Sequence, residues 1–101
     1  MGVRKVIAVS SKTHPLHKFI EKLCKALSEE LKVPYEIKLE DYVFLTQYGA
    51  KDEYGFTFLP QVFVEHEDGK VELVLSEVPL NEKLKPDLEK AKEEILAKIK
   101  K

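Results

Sequence analysis

The chain has 101 residues, a length that makes one domain spanning 1–101 and buries roughly two-thirds of its unfolded surface. Its 17 basic and 18 acidic side chains leave a formal net charge of −1 with no block of five like charges, which excludes the electrostatic footprint of a nucleic-acid or anionic-membrane protein. One cysteine excludes an internal disulfide, a CxxC redox pair and a Cys-rich zinc module, and favours a reducing, cytoplasmic setting.

The first predicted element is a strand from Val3 to Ser10, apolar on both faces through Val6, Ile7, Ala8 and Val9 and therefore interior to a sheet. Ser10, Ser11, Lys12 and Thr13 follow as a polar loop whose hydroxyls can cap a helix, and Pro15 suits its first turn. The helix is expected from about Pro15 to Leu31, with a stripe of Leu16, Ile20, Leu23, Leu27 and Leu31 widened by Phe19 and Cys24. Val33-Pro34 breaks it. Tyr35 to Leu39 alternates as a strand near an edge. Asp41 can cap a second helix through Tyr42, Val43, Phe44, Leu45 and Tyr48, after which 51–54 reads as a final turn before Gly55.

Pro60 cannot donate to a ladder and so belongs at the start of a strand running to His66, with Val62 and Val64 on one face and Phe63 on the other. Asp68-Gly69 centres a turn that joins this strand to Val71–Leu75 as an antiparallel hairpin. The last helix is expected from about Pro86, buried along Leu84, Leu88, Ala91, Ile95 and Ile99. The order is βαβαββα, an α/β fold whose first two strands pair in parallel. No 18-residue apolar stretch and no leader-like cleavage site after the first apolar run occur, so the chain is expected neither to span a membrane nor to be secreted. The Lys and Glu excess, with one Asn and two Gln, suggests a thermophilic source.

Three stretches carry a resemblance. Phe58-Leu59-Pro60-Gln61-Val62-Phe63-Val64 is similar, from the proline on, to the Thr-Val-Pro-Gln-Val-Phe-Val segment of glutaredoxins, and Ser11-Lys12-Thr13-His14-Pro15-Leu16-His17 resembles their Cys-Pro-x-Cys junction with both cysteines replaced by histidine. Lys51-Asp52-Glu53-Tyr54-Gly55-Phe56 is similar to the lead-in before that proline. The resemblance implies a thioredoxin-like fold, with a four-stranded mixed sheet covered by helices on both faces and a cis Leu59-Pro60 bond. It also implies a site at Thr13, His14, Pro15, Leu16, His17, Leu59 and Pro60.

The chemistry of that family requires a thiolate, and imidazole cannot form a mixed disulfide, so no dithiol oxidoreductase is expected here. Ser76-Glu77-Val78-Pro79 stands where glutaredoxins carry the Gly-Gly that helps hold glutathione. Cys24 lies on the apolar stripe and is expected to be a buried, neutral thiol. His14 and His17 could offer two metal ligands, short of the four a structural zinc takes, and are otherwise expected to face solvent; His66, about 20 Å along an extended strand from Pro60, does not reach them. A transferase-like enzyme would use a hydroxyl of Ser10, Ser11 or Thr13. The favoured expectation is a non-catalytic binding module, without a cofactor, that takes a protein or peptide partner in the groove between Leu16, Phe58, Leu59 and Pro60. An atypical redox-related or His14/His17 metal-binding protein stays as the alternative. Tyr42, Phe44, Tyr48, Tyr54 and Phe56 are either core or a partner surface.

Overall fold

Two strands whose side chains are apolar on both faces form the centre of the computed structural model, which describes residues 2–99. β1 (Val3–Ser10) and β3 (Gln61–His66) run antiparallel, with Val6 opposite Val64 and Val9 opposite Gln61. β2 (Tyr35–Leu39) lies parallel to β1 and β4 (Val71–Leu75) antiparallel to β3, giving one four-stranded mixed sheet in the order β2-β1-β3-β4.

Successive residues of a strand point to opposite faces, so a central pair this apolar needs cover on both. Val6, Ala8, Val62 and Val64 meet Ile20, Leu23, Cys24 and Leu27 of α1 (His17–Leu31) and Ala91 and Ile95 of α3 (Leu88–Ile99). Ile7, Val9 and Phe63 face the other way, against Leu45 of α2 (Tyr42–Tyr48). Phe44 joins them there, its ring edge-on to Phe63 with centroids 5.0 Å apart. The chain is thus α/β with helices on both faces of a mixed sheet, an architecture compatible with a thioredoxin-like fold.

Local chemistry sets where the elements stop. At the end of α1, Lys32 takes the left-handed conformation, φ 59, and its N–H donates to the Ser28 carbonyl before Val33-Pro34 turns the chain. Asp41 caps α2 by accepting from the Phe44 N–H at 3.0 Å, and Asp87 caps α3 by accepting from the Lys90 N–H at 3.0 Å. Gly69, at φ 90, closes the β3–β4 hairpin with its N–H on the His66 carbonyl. A bulge between Val62 and Phe63 leaves Val74 as the extra residue of β4, and its carbonyl accepts from Lys98 Nζ at 2.9 Å, which blunts that sheet edge. Lys5 hydrogen-bonded to Glu36 holds that carboxyl below its usual range.

Three expectations are corrected. α1 begins at His17 rather than Pro15, because 14–17 first form a turn closed by the His17 N–H on the His14 carbonyl. Residues 51–54 are no helical turn; Lys51 bridges Thr57, and the Asp52 carboxylate accepts from the Tyr54 and Phe56 N–H groups at 2.9 and 3.0 Å, with Gly55 at φ 85. Leu84 is 77% exposed at φ 61, outside the buried stripe, which starts at Leu88 and takes in Leu96. Ile95→Ala is accordingly expected to cost about 3 kcal/mol in urea unfolding, as cavity-forming core truncations do. Leu84→Gly is expected to cost nothing, or to stabilise by up to about 1 kcal/mol, because the left-handed region penalises a side chain.

Candidate functional site

The loop leaving β1 turns Ser11 inward and leaves Lys12 and Thr13 exposed. Ser11 Oγ lies 3.0 Å from Thr13 Oγ1, donates to Glu40 Oε2 at 3.1 Å and accepts from the Thr13 N–H. Glu40, just past β2, returns its own N–H to the Ser10 carbonyl at 2.8 Å. These hydroxyls therefore do not cap α1, whose N-cap residue, Leu16, has no side-chain cap. Ser10 is wholly buried and Ser11 nearly so, which leaves Thr13 as the exposed hydroxyl and removes the two serines as nucleophiles that a substrate could reach.

The two histidines play different parts. His14 Nδ1 accepts from the Leu16 N–H at 3.0 Å, so that nitrogen is committed to the backbone. His17 turns inward instead of facing solvent: its side chain is 12% exposed, Nδ1 shares a 3.0 Å hydrogen bond with Ser10 Oγ, and Nε2 lies 3.8 Å from Glu21 Oε2. Pro15 is exposed and Leu16 half-buried. Among the described residues no group of three or more His, Cys, Asp or Glu side chains could hold a metal ion. His66 sits at the other end of β3, bonded through Nε2 to Glu72 at 2.8 Å.

One step past the Val9–Gln61 pair, Ser10 comes level with Pro60, so the histidine-bearing turn and the proline share one end of the sheet. The Leu59-Pro60 bond is cis and Pro60 is buried. Gln61, the next residue, has a role the sequence did not reveal. It is wholly buried; Oε1 accepts from the Ala50 N–H at 2.9 Å, and Nε2 donates to the Ala50 and Phe58 carbonyls at 3.1 and 3.0 Å. The amide thus clamps both ends of the 50–58 loop onto β3. Gly49 leaves the space for it, since a Cβ there would stand 2.9 Å from the Leu45 carbonyl oxygen and 3.0 Å from Gln61 Oε1. A glutamine inside an otherwise apolar strand was the available signal, because a buried amide must find partners.

Leu59 packs with Ile7, Val9, Leu45 and Phe63, yet among the described residues neither its N–H nor its C=O makes a hydrogen bond. Tyr54 and Phe56, on the loop leading to it, are 78% and 67% exposed, and Tyr42 and Tyr48 on α2 are exposed as well, so of the five aromatics only Phe44 joins the core. Clefts lined by Gly2, His66, Glu67 and Asp68, and by Asn81, Glu82, Lys83, Asp87 and Lys90, lie at the opposite end of β3 and in the loop before α3. No helix among the described residues is long and apolar enough to cross a membrane. In comparisons with known proteins, no family model, no curated protein and no solved structure matches the chain.

Cys24 lies in the cluster beneath α1 and α3, fully buried, and burial pushes its thiol from 9.0 up to about 12. The folded state therefore keeps a proton that the unfolded chain gives up, and this group's contribution to stability falls as pH rises from about 9 to about 12. Cys24→Ala should flatten the loss of stability over that window in urea unfolding. The native thiol should resist an aromatic disulfide reagent at pH 8 and react at once in denaturant.

Proposed function

We propose that the chain is a glutaredoxin-like protein of the cytoplasm in which the redox site has become a non-catalytic binding site for an extended peptide or protein segment. The observation that carries this reading is the unpartnered N–H and C=O of Leu59 beside Pro60. A backbone donor and acceptor left free on one residue are what an extended chain pairs with, and half-buried Phe58, Leu59 and Leu16 offer apolar walls for its side chains. Burial of Cys24 supports the non-redox part of the reading, since a thiol held protonated and out of solvent supplies no attacking thiolate. The inward bonding of His17 to Ser10 makes that imidazole part of the scaffold under the site rather than a free ligand.

Titration of tag-free protein with a panel of extended peptides, followed by backbone amide shifts, tests the reading. The shifts are expected to concentrate on 58–61 and Leu16. Leu59→Asp should abolish binding, whereas His14→Ala should weaken it by no more than about 1 kcal/mol, as substitutions at the rim of an interface usually do. A one-to-one zinc site of sub-micromolar affinity, lost in His14→Ala, would instead favour the metal-binding alternative. In an insulin-reduction assay no turnover is expected, and turnover that disappears in Cys24→Ser would overturn the non-catalytic reading.

A further inference from the structure

β2 has β1 on one side and, among the described residues, no strand on the other. Its parallel ladder is anchored at both ends, by the Val6 N–H on the Pro34 carbonyl at 3.0 Å and the Glu40 N–H on the Ser10 carbonyl at 2.8 Å. Alternation between those ends turns the backbone groups of Glu36 and Lys38 toward β1 and those of Tyr35, Ile37 and Leu39 toward the open edge. Tyr35 and Leu39 are also 42% and 47% exposed. An unpaired edge flanked by exposed apolar side chains is a template for another strand.

The five residues Tyr35-Glu36-Ile37-Lys38-Leu39 complement themselves. Placed antiparallel about Ile37, Tyr35 meets the second copy's Leu39 and Ile37 meets Ile37, and these are the residues whose N–H and C=O point outward, so they form the hydrogen-bonded pairs. Glu36 meets the second copy's Lys38 in the closer, non-hydrogen-bonded pairs, where opposite charges stabilise. Sliding the second strand by two residues either way keeps the hydrogen bonding but sets Glu36 against Glu36 or Lys38 against Lys38. Charge therefore selects one register. Within one chain Lys5 and Lys38 already hold Glu36, at 2.5 and 3.4 Å, so the carboxylate stands between cations ready for a third.

We propose that the chain pairs with a second copy of itself through β2, as a two-fold dimer that joins two four-stranded sheets into one. The surface is separate from the Leu59 site, which lies just before β3 on the far side of β1, so the two readings stand or fall independently.

Sedimentation of tag-free protein from micromolar to near-millimolar concentration is expected to approach twice the 11.6 kDa chain mass. Lys38→Glu leaves two acidic side chains on the strand and Glu36→Lys two basic ones. Each variant alone should self-associate more weakly, on the order of tenfold, while an equimolar mixture of the two should recover the dimer. Circular dichroism checks that both fold. Because a variant that fails to fold decides nothing, amide exchange on the unaltered protein is read alongside: the Tyr35, Ile37 and Leu39 amides should slow as concentration rises. A monomer at every concentration, a dimer indifferent to both charge changes, a mixture that does not recover it, or edge amides indifferent to concentration would each overturn the proposal.

Discussion

Everything in this molecule depends on the pairing of β1 with β3. Both strands are buried on both faces from Val6 to Val9 and from Gln61 to Val64, and each fully buried valine, isoleucine or phenylalanine removes apolar surface worth about 1.5 to 3 kcal/mol from water. Such a pair cannot exist as an open hairpin. It requires a layer on each side, and the rest of the chain supplies them unequally: two helices of 15 and 12 residues over the valine face, one of seven over Phe63. The thinner layer is the one next to Leu59.

This asymmetry positions the candidate site. On the α2 side, cover is completed by an irregular loop rather than a second helix, and that loop is held by one amide, Gln61, hydrogen-bonded at both ends of 50–58. A single buried, fully satisfied polar side chain can fix a loop of this length because an unmade bond in the interior costs more than a made one gains. The loop is thereby delivered to the end of β1 with Leu59 still unpaired. Across the strand end, the hydrogen bond shared by Ser10 and His17 orders the other side of the site.

The parts of this arrangement that were legible in the sequence are those governed by periodicity and capping. Val62 and Val64 against Phe63, the Ile20-Leu23-Cys24-Leu27 stripe and the Asp41 cap each follow from spacing that a strand or helix imposes. What was not legible lies between the elements. The 51–57 segment mimics a helix end, but the Asp52 carboxylate gathers two backbone N–H groups and bends it into a bridged turn. Leu84 keeps helical spacing with Leu88, but it precedes the Asp87 cap, so the spacing has no helix to act on. His17 resembled a solvent-facing remnant because its partner, Ser10, belongs to a different element seven residues earlier. Contacts of that kind leave no periodic trace.

The central claim is that Leu59 offers an unpaired backbone donor and acceptor in the free protein, and amide hydrogen exchange at that one residue tests it most directly. Fast exchange at Leu59 in the free protein, beside protected amides at Val62 and Phe63, with protection gained when an extended peptide binds, is the predicted pattern. A Leu59 amide already protected in the free protein, or one that stays unprotected in a saturated peptide complex, would contradict it.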